Sequence, residues 1–462
     1  MARAVVFWAV LLVLMGGGAV QAQQEGRPYT LEDCVAMGLE KNVGVRKAEL
    51  AVDVAQATVL GTWSGLLPHV NASFASGRFI QGDRIRKMDV PVGYDSQTGQ
   101  VIYEQREIVQ KGVERNSHYA RLSVAQNLFD WGRNLSLLQQ ARTREEAAEM
   151  AFIAARQAVV LDVYTKYFAL LKAVKLLEVH REALQSAEEQ LRRTQSMFEL
   201  GAVAQGDVYK ARVTVGEAKI NVISQENEVR AARGNLNVAM GRDPEADLAV
   251  VEVETTEVPF PHTRQQVVEI ALANNPELRE LRQSLEAARL GVRAAKLAYL
   301  PTFALGMTYS RDNEFFDKVY TRDLKRDYYL SLGIQAELNL FKGFADKAAV
   351  ERETATYRTV LEEHADKLRQ LTLRVNQAFL YLEALQEIAS INRDNLLAAE
   401  EDLRLAEERY RVGSGTLLEI NDARVAVTRA KQIVVGAKYD SQVARATLEA
   451  LMGTLGQSKR SS

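Results

Sequence analysis

The chain has almost no cysteine and very little proline. Cys34 stands alone among 462 residues, so no internal disulfide can form. Position 34 lies too far from the N-terminus for a lipid-modified leading residue, and a small buried apolar role is expected for it. The prolines are residues 28, 68, 91, 244, 259, 261, 276 and 301, which leaves 92–243 and 302–462 free of them. Proline breaks helix interiors, so both stretches can hold very long helices. Histidine is also scarce: residues 69, 118, 180, 262 and 364 are scattered without metal-ligand spacing. Neither a phosphate loop nor a nucleophile elbow occurs. The net charge of −2 excludes the strongly basic face of a nucleic-acid binder. Beyond the N-terminus there is no apolar run near the ~20 residues of a membrane helix. These absences argue against an enzyme, a cofactor or a metal site.

An export signal and a long internal repeat are present. Arg3, the apolar run Ala4–Leu14 and Val20-Gln21-Ala22 have the order of a secretory signal cut after Ala22. Leu31–Arg78 aligns with Arg264–Arg311 at an offset of 233 residues. Asn42 meets Asn275, and Leu67-Pro68 meets Leu300-Pro301. Further along the offset is 212. There Asn127-Leu128-Phe129 meets Asn339-Leu340-Phe341, Gly201 meets Gly413, and Ala211-Arg212-Val213 meets Ala423-Arg424-Val425. Two copies of one unit are therefore expected. The divisions are a signal at 1–22, repeat 1 at 23–241, a connector at 242–263, repeat 2 at 264–456 and a tail at 457–462.

Each repeat changes hydrophobic period. Residues 131–200 and 343–412 are rich in Ala, Glu, Leu, Gln and Arg and read as helices of roughly 100 Å. Leu361, Ala365, Leu368, Leu371, Val375, Ala378, Leu382 and Leu385 form a coiled-coil seam. Gly201 and Gly413 end these helices, and second helices are predicted at about 206–240 and 416–452, closing two long hairpins. The period falls to two at about 69–78, 119–128, 302–310 and 329–340. Such strands suit a lipid-facing barrel with a wet interior, although a sheet on a soluble core alternates equally. The export signal and the aromatics Phe79, Phe315, Phe316, Tyr328 and Tyr329 near strand ends favour the barrel. Four strands cannot close one, so the barrel must be shared between chains. A surface hairpin is expected where Val90–Tyr94 and Gln100–Tyr103 flank Asp95–Gly99.

Leu300-Pro301 before a strand, Asn339-Leu340-Phe341 after one, Asn275-Pro276-Glu277-Leu278, and Tyr410-Arg411-Val412-Gly413 followed by Thr416–Asp422 carry a resemblance. In this order, twice over, the chain resembles the TolC-like outer-membrane efflux proteins. The resemblance implies a homotrimer in the outer membrane of a Gram-negative bacterium. Each protomer would give four strands to a shared 12-stranded β-barrel in outer-membrane lipid. Its helical hairpins would form a periplasmic coiled-coil α-barrel closed at its tip. The implied role is a passive exit duct, docked onto an inner-membrane pump through a periplasmic adaptor, without cofactor or nucleic acid. A duct dedicated to protein secretion is the alternative within the class, and a periplasmic coiled-coil structural or adaptor protein the alternative outside it.

The resemblance also marks a constriction at the hairpin turns. Glu419 and Asp422 match acidic positions, three apart on one helix face, and three copies would place six carboxylates around the pore. Thr416-Leu417-Leu418-Glu419 has equally the pattern of a capping box. Asp207 and Tyr410 match a pair that bridges neighbouring hairpins through a hydroxyl-to-carboxylate bond. Where a relative carries a basic residue this chain has Gly415, and Gly206 stands at that residue's partner position, so that outer link is absent.

Overall fold

The structure, a computed structural model, describes residues 28–253, 260–321 and 323–456. The expected signal at 1–22 and the tail at 457–462 lie outside them. The chain divides into two compact units.

One unit comprises residues 47–154 and 274–371. It holds helix α2 (Val43–Thr62) beyond its first turn and the strands β1 (His69–Gln81), β2 (Arg84–Tyr94), β3 (Val101–Gln110) and β4 (Val113–Phe129). It also holds α6 (Pro276–Leu297), β5 (Thr302–Asn313), the short α7 (Phe316–Val319) and β6 (Tyr329–Glu337). The opening segments of α3 (Arg133–Glu199) and α8 (Ala345–Arg411) complete it. Four strands form one antiparallel sheet in the order β1-β4-β5-β6.

The sheet register explains the alternation. Val70, Val124, Met307 and Leu332 are successive partners across all four strands, and so are Ala72, Leu122, Tyr309 and Leu330. One residue along, Asn71, Ser123, Thr308 and Ser331 are partners. Because side chains alternate faces, one face is an apolar band and the other is lined with small polar groups. The apolar band is exposed: Leu332 and Ile334 keep 70% and 69% of their surface. A soluble sheet would bury this face against a core, and here nothing covers it.

The excursion between β1 and β4 is more regular than expected. Strands run past residue 78 to Gln81 and resume at Val113, and β2–β3 is a ten-pair hairpin rather than a short tip. Its turn is held by Asp95, which accepts from the Gln97 N–H at 2.9 Å and from the Thr98 hydroxyl at 2.5 Å. Gly99 takes φ +68°, a conformation that a residue with a Cβ resists. Between β5 and β6, the buried Arg311 donates to the Arg326 carbonyl at 2.9 Å and fastens the loop onto the strand. Below the sheet, the small face of α6 (Ala287, Ala288, Gly291, Ala294) is buried. Gln140 donates to the Ala287 carbonyl at 3.1 Å, and a Cβ on Gly291 would come within 2.6 Å of Gln140 Nε2.

The other unit comprises residues 28–46, 155–273 and 372–456 of the described chain. It contains α1 (Leu31–Lys41), α4 (Gln205–Ala239), α5 (Arg264–Asn274), α9 (Leu417–Leu451) and the remaining lengths of α3 and α8. Thr30 and Asp33 close a capping box on α1. Cys34 is fully buried, and desolvation pushes its thiol up to about 12. That is the inert, apolar role its surroundings allow. Tyr167, also buried, donates its hydroxyl to the Val251 carbonyl at 2.6 Å and pins the connector where Tyr29 bridges Val250. No helix among the described residues is long and apolar enough to cross a membrane.

The repeat is exact in the helices. The bounds of α3 and α8, and those of α4 and α9, differ by 212 residues at both ends. Those of α1 and α5 differ by 233.

Candidate functional site

The candidate site is the pair of hairpin turns. α3 ends at Gly201 with φ +74° and α8 at Gly413 with φ +77°. Both close as Schellman turns. The Ala202 N–H donates to the Met197 carbonyl at 2.8 Å, and the Ser414 N–H to the Arg409 carbonyl at 2.9 Å. Gly415 follows closely, with its N–H 3.1 Å from the same carbonyl. A Cβ there would meet the Tyr410 nitrogen at 3.0 Å and the Arg409 Cβ at 3.1 Å, so a side chain at 415 would crowd this turn. Gly206 has open space around it.

The helices that restart differ in their caps. Thr416 caps α9: its hydroxyl accepts from the Glu419 N–H at 3.3 Å and lies 3.1 Å from Glu419 Oε1. The Glu419 carboxylate thus meets the cap hydroxyl rather than the cap backbone, which is half of the expected capping box. It also faces Arg409 at 3.9 Å, so a basic residue stands by this carboxylate although Gly415 supplies none. Asp422, one turn on, is exposed. α4 starts at Ala204 with no side-chain cap, and Asp207 in its first turn pairs with Lys210 at 3.7 Å.

The expected bond from Tyr410 to Asp207 is not made within the chain. The Tyr410 ring packs on the buried cluster of Ala406, Ile420 and Ala423, and its hydroxyl is enclosed without a hydrogen-bond partner among the described residues. The physical reason is local: an aromatic ring gains more by covering its own hairpin seam than by reaching a solvated carboxylate.

Sequence reasoning missed the polar ladder that joins α3 to α9 above the turns. Arg424 Nη2 contacts Glu407 at 2.8 Å and Gln190 at 3.3 Å. Lys431 meets Glu182 at 2.9 Å, Gln432 meets His180 at 3.2 Å, and Lys172 meets Asp440 at 2.8 Å. Burial holds the His180 imidazole below its ordinary value. A cavity of about 840 Å³ lies beside the ladder, lined by His180, Thr214, Asn221, Arg424 and Lys431. On one linear chain these look like ordinary solvated helix charges; the repeat match at Arg212 and Arg424 was the available signal.

A hairpin of such length below a four-stranded sheet with an exposed apolar band defines a class, the outer-membrane channel proteins. The family model described as "Outer membrane efflux protein" matches residues 36–242 and 267–454, one segment per repeat. The chain belongs to that family. It is 24% identical to the outer membrane protein TolC of Escherichia coli over 358 residues, 75% of this chain and 71% of that one. It is 23% identical to the probable efflux pump outer membrane protein TtgC of Pseudomonas putida over 431 residues, 92% of this chain and 82% of that one. The solved CmeC outer membrane channel of Campylobacter jejuni superposes with a TM-score of 0.76 at 18% identity, covering 93% of this chain and 87% of that chain. The protein is an outer-membrane exit duct of the Gram-negative kind with a large periplasmic helical portion. The reading as a periplasmic structural or adaptor protein is overturned by the family match.

Proposed function

We propose that the chain is the outer-membrane exit duct of a tripartite system, working as a homotrimer with a periplasmic adaptor and an inner-membrane pump. The observation that carries this is the sheet. β1 and β6 are its edges, and its apolar face is uncovered. Lipid tolerates the face but not the edges, whose backbone groups must pair. Successive strands alternate in direction, so β6 of one copy runs antiparallel to β1 of the next, and three copies of four strands close twelve. Conduction is passive, and the pump selects the cargo. Efflux is the favoured cargo class because the match to TtgC spans most of both chains. Membrane fractionation followed by amine crosslinking tests the assembly. A trimer released from outer membranes only by detergent is expected; a monomer in the soluble periplasmic fraction overturns the reading.

The turns form the constriction in this proposal. Glu419, Asp422 and Asp207 supply carboxylates that favour cations in a narrow pore, and Tyr410 holds the two arms of its hairpin together. Replacing Glu419 and Asp422 together by Ala should lower cation selectivity in single-channel recordings and weaken block by a trivalent cation. Unchanged selectivity and block would assign both residues to capping and solvated surface.

A further inference from the structure

The internal repeat makes one part of the protein a template for another. Contacts give the helix order α4, α3, α9, α8. α4 is tied to α3 by Arg181–Glu226 at 2.8 Å, α3 to α9 by the ladder, and α9 to α8 by Arg424–Glu407. The outer flanks of α4 and α8 have no neighbour in the chain. Their repeat equivalents, α9 and α3, face each other.

The flanks have the composition of a covered surface. Leu161 and Ala450 pack against the buried cluster of Val160, Ala446 and Leu455. Their equivalents 212 residues away, Leu373 and Val238, are 56% and 57% exposed. Phe168 is buried beside Tyr439, whereas its equivalent Leu380 is 52% exposed. Gln432 is half-buried against His180, whereas its equivalent Ile220 is 66% exposed. An apolar stripe of this length on a helix marks a contact surface.

The charges follow the same rule. Shifted by 212, the pair Glu182–Lys431 becomes Asp394–Lys219, acid for acid and base for base. The pair Gln190–Arg424 becomes Asp402–Arg212, with the neutral acceptor replaced by a carboxylate. Arg212, Asp394 and Asp402 are exposed, and Lys219 has only a 3.6 Å contact to Glu188. The order is antiparallel in both cases: as 424 to 431 meets 190 to 182, so 212 to 219 meets 402 to 394.

We infer that α8 of one copy docks on α4 of a second copy in the register of the intrachain α3–α9 seam, with Asp402 on Arg212 and Asp394 on Lys219. The occupant of both flanks is this chain itself. The contact is head-to-tail, using two different surfaces, so it propagates until a ring closes. Lys219 exchanges its long contact with Glu188 for the neighbour's carboxylate. The seam between copies is weaker in charge than its template, because Lys172–Asp440 maps onto Ala384 and Glu228, which cannot pair. This inference rests on the trimeric assembly proposed above and adds its residue register.

Thiol crosslinking in native membranes tests it, in a Cys34→Ala background so that no other thiol is present. The in-register double variants are Arg212→Cys with Asp402→Cys, and Lys219→Cys with Asp394→Cys. The crossed doubles, Arg212→Cys with Asp394→Cys and Lys219→Cys with Asp402→Cys, are displaced by about 10 Å along the helices at 1.5 Å per residue. A short bifunctional thiol reagent should convert the in-register variants into covalent trimers, with at least a tenfold excess over the crossed pairs. Amine crosslinking of the same samples reports assembly independently. A trimer by amine crosslinking with equal thiol yields from all four variants overturns the register and leaves the assembly standing. A monomer by both reagents overturns both. All four positions are exposed, so folding is not at stake; the exchange Arg212→Asp with Asp402→Arg provides a second check, restoring the trimer's heat resistance in detergent that either single change lowers.

Discussion

Lys172 on α3 and Asp440 on α9 meet at 2.8 Å, with the lysine nitrogen in reach of both carboxylate oxygens. The pair ties the first hairpin to the second midway along the ladder. About a third of each side chain is exposed. Solvent screening therefore keeps its coupling modest, roughly 0.5–1 kcal/mol. A double-mutant cycle with Lys172→Ala and Asp440→Ala, read by thermal unfolding in detergent, should recover a coupling of that size that shrinks at high salt. Additive single effects would show the pair to be idle.

His180 makes the same seam sensitive to acid. Burial lowers its pKa, so the folded chain prefers the neutral ring. As pH falls through the ordinary value of 6.5, the unfolded chain takes up the proton first. Stability is therefore fully present above that value, is lost on acidification, and levels off below the folded value. His180→Gln should flatten the fall in melting temperature between about pH 7 and pH 5. An unchanged slope would place the acid sensitivity elsewhere.

Tyr410 separates a ring effect from a hydroxyl effect. Its hydroxyl has no partner among the described residues, while its ring covers Ile420 and Ala423. Tyr410→Phe removes an enclosed polar group and should leave stability and closed-state conductance unchanged. Tyr410→Ala leaves a gap costing about 1–3 kcal/mol and should raise conductance by loosening the turn. A rise in conductance with Tyr410→Phe alone would show that the hydroxyl bonds to Asp207 in the assembled channel.

The β2–β3 tip offers a test of strand direction. Thr98 lies in a turn held by Asp95 alone, far from any buried group. An epitope inserted after Thr98 should be tolerated and should bind antibody on intact cells. Labelling that needs a permeabilised outer membrane would invert the strand topology.

Composition and period by themselves determined the architecture. Proline-free stretches ended by Gly201 and Gly413 fixed two helical hairpins to within about two residues at each end, because glycine alone takes the left-handed turn without strain. Alternation fixed four strands, because a lipid-facing strand must be apolar on one side only. The strand ends were less legible: β1 and β4 extend beyond the expected 69–78 and 119–128 because backbone pairing continues after the apolar pattern stops. The expected Tyr410–Asp207 bond failed because it came from resemblance, and only packing reveals that the ring has a nearer use. Lys172 with Asp440 and Arg424 with Glu407 and Gln190 were hidden for a different reason. Residues 268 and 234 positions apart become neighbours through the crossing of two hairpins, and nothing in local sequence encodes that crossing. Tertiary structure alone decided which charges face a partner and which face water.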